Sequence, residues 1–349
     1  MGDSILTHGK IVGVQYLRGI AVLAVAFDHG SFLVGHPFRW LEFGRHGVDL
    51  FFLISGFIIA AVSLAGPDLA PAIGVRAFLV RRFIRIVPLM WVAVAAFVLF
   101  SVAGIRGWPP VSFLTGVVLW PSGQLAPAHL WTLRQEAVFY ALFAASMLTG
   151  KRWRFLLLLW LFAPPVIGLF YHGLWRGVWA VLLSPVRWEF IAGLAAAVLW
   201  FRYTRERRIR LPIDPLFVLA VLSGIALWGI IPVFHIRPGL TMALLCLPIL
   251  LLAIHAECPP GPARAFGELL GNASYSIYLF HILGISAALR IWAALAPGAP
   301  IWMVVLSGAL VGIALGVVLH LLVERPLVAW LRHRFAGPRA VQTEPQAAH

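Results

Sequence analysis

Long apolar runs separated by short charged or Pro/Gly-rich gaps dominate this chain, at residues 13–33, 48–65, 86–103, 130–149, 155–171, 178–201, 215–233, 239–255, 273–294 and 301–323. Each approaches the length of about 20 residues that an α-helix needs to cross a hydrocarbon core of about 30 Å. The pattern predicts an all-α fold, a polytopic integral membrane helical bundle of about ten transmembrane helices. A further stretch, 111–120, is too short to cross and lies among Pro109, Pro110 and Pro121, so it reads as an interfacial or re-entrant piece. The polar segment 335–349 is expected to be a disordered tail, with 1–334 forming one transmembrane domain.

Composition narrows the class. Of 349 residues, 61% are hydrophobic and 11% charged, and the mean hydropathy is +0.93, which excludes a water-soluble globule. The first run is interrupted by Arg18, Asp28 and His29 and lacks a small-x-small cleavage site, so it is expected to stay as a helix rather than leave as a signal peptide. The net charge of +14 sits mostly in the gaps. With the N-terminus cytoplasmic, the inner gaps hold clusters such as Arg81, Arg82, Arg85, then Lys151, Arg152, Arg154, then Arg205, Arg207, Arg208, Arg210. The outer gaps hold only Arg39, Arg45, Arg106, Arg176 and Arg237. This asymmetry predicts both termini on the cytoplasmic side of an inner membrane, with an even number of spans. It also points to the lipid bilayer and an anionic small molecule as partners, not nucleic acid. Cys246 and Cys258 exclude a disulfide framework and have no metal-ligand spacing around them. Most of the 15 Trp residues flank spans as interfacial anchors, with a sugar platform near Trp108, Trp120 and Trp131 as the alternative.

Ionisable side chains inside a bilayer cost about 2.5–3.5 kcal/mol or more and should face a cavity or a partner. Here they are Arg18, Asp28, His29, Arg134, Glu136, Arg187, Glu189, His281, Arg290 and His320. Arg18 and His29 are eleven residues apart, which returns them to nearly one helical face roughly 16 Å further along. A long ligand with anionic groups at one end and a reactive group deep in the membrane would span them. An imidazole with an unperturbed pKa of about 6.5 suits a general base acting on a hydroxyl. The alternative from position alone is a histidine bonded to a neighbouring helix beside a topology arginine. Arg82 and Arg85 share a face and have the guanidinium forks that bind phosphates, although inner-face arginines also serve topology alone. Glu136 and Tyr140 share a face at i, i+4; the carboxylate could orient an imidazole or a hydroxyl, or pair with an arginine such as Arg187. Tyr275, Tyr278 and His281 form a polar stripe that would line a cavity or bond between helices. His320 and Glu324 precede Arg325 and Pro326, which read as the end of the last helix.

Five strings in order resemble the membrane acyltransferase-3 family, which includes bacterial envelope polysaccharide O-acetyltransferases: YLRGIAVLAVAFDHG, GRHGVDLFFLISGFII, RRFIRIVP, LWTLRQEAVFY and ASYSIYLFH. The resemblance covers nearly the whole chain. It implies an acyl-CoA-dependent O-acyltransferase that moves an acyl group, usually acetyl, from cytoplasmic acyl-CoA to a hydroxyl of an extracytoplasmic sugar, glycolipid or exopolysaccharide. By the family pattern Arg18 and His29 become the donor-binding and catalytic pair, Arg82 and Arg85 hold anionic parts of the donor, and Glu136, the carboxylate of its segment, is expected as a second catalytic residue. Tyr140, Tyr278 and His281 are expected on the acceptor side, and no metal is implied. Family members often carry a soluble hydrolase-like domain after the helices, which this sequence does not contain; binding of a polymeric acceptor is therefore expected to need help. The competing class is a secondary transporter or flippase in which His29, Glu136 and His281 relay protons. Acylation of a small secondary metabolite is a third reading. Acceptor identity, acyl length and oligomeric state are not legible.

Overall fold

The computed structural model describes residues 6–7, 10–66, 70–104, 109–148, 160, 167, 176–205, 213–226, 239–256 and 258–335. The expected span at 155–171 lies almost entirely outside them, as do the later part of that at 215–233, Trp108 and the tail 336–349. In chain order the helices are α1 (Val12–Phe32), α2 (Gly47–Ser63), α3 (Val75–Val102), α4 (Pro110–Val117), α5 (Trp131–Leu148) and α6 (Val178–Leu182). They continue with α7 (Arg187–Leu199), α8 (Ile213–Ile225), α9 (Leu240–His255), α10 (Pro262–Leu295), α11 (Ile301–Leu319) and α12 (Arg325–Phe335). A two-residue antiparallel pairing, Leu6–Thr7 with Lys10–Ile11, precedes α1.

Among the described residues, five helical segments are long and apolar enough to cross a membrane: Arg39–Ser63, Val75–Val102, Val178–Arg202, Pro262–Leu295 and Ile301–Phe335. These account for five of the ten runs read from the sequence. Helices α1 and α5, at 21 and 18 residues, are long enough but fall outside that set. The polar side chains they bring to the site dilute their hydropathy, among them Gln15, Arg18, Asp28 and His29 on α1 and Thr132, Arg134, Gln135 and Glu136 on α5. The proline-flanked stretch folds as α4, a helix of eight residues, shorter than the bilayer core requires. Proline opens both α4 and α10 at a first-turn position, where its missing N–H costs nothing.

One reading of a helix end is corrected. Pro326 does not stop the last helix: a π-helical turn at His320–Glu324 follows α11, and α12 runs on to Phe335. Pro326 has no N–H to bond back into the preceding turn, and the π turn falls at that point of the continuous helical segment Ile301–Phe335. The extra residue of the π turn re-aims the side chains around it, and Glu324 ends up 1% exposed.

Lipid tails are as apolar as leucine, so helix association in a bilayer rests on close packing of small residues. On α11, Gly308, Gly312 and Gly316 repeat every fourth position and face α10. A Cβ on Gly316 would fall 2.3 Å from Ile277 Cα, and one on Gly312 would fall 2.7 Å from the His281 carbonyl oxygen. Helix α1 meets α10 in the same way, with Gly271 against the Gln15 carbonyl and Gly19 against Leu270. These contacts fix the register of α1, α10 and α11, and Val22, Val25, Ala26, Ala273, Ile277 and Ile313 form their shared apolar core. A larger core joins α2, α3, α5, α7 and α9 through Phe57, Phe97, Phe139, Phe143, Phe190 and Leu250. Large apolar residues such as Leu99, Val102, Leu114, Leu310 and Leu322 remain exposed on the outside, as a lipid-facing surface requires.

Candidate active site

Helices α1 and α10 bring two histidines together. His29 Nδ1 lies 2.7 Å from His281 Nε2, with the ring planes 20° apart and the ring centres 5.0 Å apart, an edge-to-edge arrangement. His281 is fully buried, and its Nδ1 lies 2.8 Å from the Tyr278 carbonyl and 3.0 Å from that of Ile277. Both ring nitrogens of His281 are therefore engaged, one by the backbone and one by His29. His129, on the turn before α5, lies beside them with its ring centroid 5.7 Å from that of His281 and its Nε2 3.2 Å from the Leu279 carbonyl.

Next to the histidines stands a polar layer. Tyr278 Oη donates to the His129 carbonyl at 2.9 Å and lies 2.8 Å from Thr132 Oγ1, which in turn lies 3.0 Å from the same carbonyl. Tyr278 and Thr132 also line a cavity of about 1770 Å³, well above the 300–1,000 Å³ of a drug-sized pocket. Arg18, Arg82, Arg85, Glu136, Tyr140, Tyr275 and Tyr278 all line it, and Arg81, Arg325, Arg332 and His333 add further basic groups. His29 and His281 are not among the lining residues. The structure thus gathers six of the expected residues around one cavity and pairs the other two, with Tyr278 lining the cavity and lying beside His281.

The arginines differ in what holds them. Arg85 closes an ion pair on Glu324, and the Glu324 carboxylate also accepts from Ser276 Oγ and lies against His320 Nδ1, each at 2.7 Å. The Arg85 guanidinium lies 5.3 Å from the centre of the Tyr275 ring, and Tyr275 Oη donates to the Ile86 carbonyl at 2.7 Å. Arg18 donates to Ser274 Oγ at 2.9 Å and Gln15 Oε1 at 3.4 Å. Arg82 lies over the rings of Phe78 and Tyr140, and its Nε has no hydrogen-bond partner. Among the described residues, neither Arg18 nor Arg82 forms an ion pair with a carboxylate. These two guanidinium groups can receive an anion without first breaking a salt bridge.

Glu136 accepts hydrogen bonds from Tyr140 Oη and, at 2.5 Å, from Ser55 Oγ. Its partners are two hydroxyls, neither an imidazole nor Arg187. Arg187 instead donates to the Leu183 and Ser184 carbonyls. Tyr140 is committed to Glu136, and the Arg82 guanidinium lies over its ring. Trp120 and Trp131 are 55% and 40% exposed, in keeping with anchors. Sequence reasoning missed Ser276, Ser55 and His129 and read Glu324 only as part of a helix end. For Glu324 a signal existed in its i, i+4 spacing from His320; the others are single polar residues in apolar runs and carry no pattern.

Comparisons with known proteins agree with the strings noted above. The family model for an acyltransferase domain, that of the acyltransferase-3 family, matches residues 11–321. The chain is 33% identical over 318 residues to the exopolysaccharide production protein ExoZ of Rhizobium meliloti, covering 86% of this chain and 93% of that one. It is 26% identical over 318 residues to the peptidoglycan O-acetyltransferase OatA of Listeria monocytogenes, covering 78% of this chain and 49% of that protein, so it spans about half of that relative's length. No solved structure matches. On the strength of that near-complete match, this helical chain belongs to the acyltransferase-3 family.

Proposed function

We propose that the protein is an O-acyltransferase of the inner membrane, with both termini cytoplasmic and ten spans, moving an acyl group, acetyl in the first instance, from cytoplasmic acyl-CoA to a sugar hydroxyl outside. The acceptor class we favour is an exopolysaccharide or its lipid-linked precursor, because the relative sharing most of its length with this chain is named for exopolysaccharide production. The observation that carries the reading is the cavity, in which the unbridged guanidinium groups of Arg18 and Arg82 face a space large enough for a long anionic thioester.

In this account Arg18 and Arg82 hold the phosphates of the donor, and Arg85, fixed by Glu324, adds positive potential beside them. Tyr140 and Glu136 shape the wall along which the pantetheine arm lies. The thioester reaches His29 when the Tyr278–Thr132 layer parts. His29 takes the proton from the acceptor hydroxyl as its oxygen attacks the thioester carbonyl; the C–S bond breaks and the thiolate leaves, taking up that proton. The products are an O-acyl ester and free CoA thiol.

The test uses purified protein in proteoliposomes with radiolabelled acetyl-CoA on one face and membrane-derived glycolipid on the other. Label recovered as base-labile ester on the glycan supports the reading. Movement of an unmodified solute with no ester formed overturns it in favour of transport.

A further inference from the structure

We infer that His281 is a positioning residue that fixes the tautomer of His29, and so decides which nitrogen of His29 can act as the base; this rests on the acyl-transfer reading above. The carbonyls of Ile277 and Tyr278 can only accept, so His281 Nδ1, 3.0 and 2.8 Å from them, must carry a hydrogen. A neutral imidazole protonated on Nδ1 has its lone pair on Nε2. That lone pair points at His29 Nδ1, 2.7 Å away, so His29 Nδ1 must be the donor. The free lone pair of His29 is then on Nε2, the nitrogen not facing His281. A hydrogen bond made by one ring nitrogen sets the protonation of the other, and here a helix backbone dictates it through two rings.

The arrangement is built into the packing. His281 is fully buried, and Gly312 of α11 sits so close to its backbone that a Cβ there would lie 3.1 Å from its Cα and 2.7 Å from its carbonyl oxygen. That approach fixes the backbone from which the ring projects, and two carbonyls hold its Nδ1. His281 therefore has no ring nitrogen left for an acceptor, and its contribution passes through His29. Leucine at 281 removes the acceptor for His29 Nδ1–H and frees His29 to adopt either tautomer. Glutamine can place its Oε1 near the position of Nε2 and restore the acceptor.

The experiment combines ¹⁵N-histidine NMR of the full chain in nanodiscs with kinetics of acetyl transfer. The His29 signals are assigned by their loss in His29→Ala. The expected result is His29 protonated on Nδ1 in the unaltered protein, a shift toward Nε2 protonation in His281→Leu, and recovery in His281→Gln. In parallel kcat falls about 100-fold in His281→Leu with the donor KM unchanged, and His281→Gln recovers to within about tenfold of the unaltered protein. Nε2 protonation of His29 in the unaltered protein overturns the inference whatever the variants do. So does an equal loss in both variants with the His29 spectrum unmoved. If the tautomer is as expected but His29→Ala transfers acetyl normally, the pairing stands and the acyl-transfer role of His29 fails.

Discussion

The guanidinium of Arg85 is locked on the carboxylate of Glu324, while that of Arg82, one helical turn earlier on α3, has no carboxylate partner among the described residues. Two arginines of one short motif therefore carry different tasks. Removing the Arg85 cation strands a buried carboxylate, a loss that costs about 3–5 kcal/mol for a buried pair, lessened here because Ser276 and His320 still face Glu324. Arg85→Ala should lower the melting temperature in detergent, and Arg85→Ala/Glu324→Gln should recover part of the loss. Arg82→Ala should leave the melting temperature alone and raise the donor KM at least about tenfold, the size of one charge-assisted hydrogen bond of about 1.5–3 kcal/mol. Equal melting behaviour of the two single variants contradicts this division.

The close approach of α10 and α11 predicts a contrast between two glycines on one face. Gly316→Ala places a Cβ 2.3 Å from Ile277 Cα, whereas the nearest neighbour of a Cβ on Gly308 is a side-chain carbon at 3.5 Å. Gly316→Ala should destabilise by about 1–3 kcal/mol through overpacking. Gly308→Ala should be neutral or gain up to about 1 kcal/mol from higher helix propensity. Thermal unfolding of both variants checks the helix register that sets His281 against His29.

Tyr278 lines the cavity and lies beside His129 and His281, and its side chain can be cut back in two steps. Tyr278→Phe keeps the ring, and Thr132 Oγ1 still reaches the His129 carbonyl, so stability should change by no more than about 1 kcal/mol. Tyr278→Ala removes the layer. Release of CoA thiol without acceptor, followed with a thiol reagent, should then rise severalfold over the unaltered protein. Unchanged thiol release in Tyr278→Ala means that this side chain is no barrier.

How much of this was readable beforehand follows from the physics of each element. Apolar run length located α1 and α9 within a residue or so, because a helix in lipid must be apolar where it meets lipid. The same logic failed for α3, which begins at Val75 and not near residue 86. Arg81, Arg82 and Arg85 read as a gap ahead of the span, yet a helix beside a polar cavity can carry them. Glu324 was hidden by Pro326, since a π turn ahead of a proline leaves no mark in the residue pattern. The Arg82 and Tyr278 stripes were legible from helical spacing. The His29–His281 pair was not, because it depends on the register between helices 252 residues apart, set by the approach of Gly19 and Gly271 to the facing helix.

The central claim is that His29 accepts the proton from the acceptor hydroxyl. Its most direct test is acetyl transfer from radiolabelled acetyl-CoA to envelope glycan in membranes containing His29→Ala at matched protein levels. The account predicts loss of transfer by at least about 100-fold with donor binding retained. Transfer at the rate of the unaltered protein would contradict it.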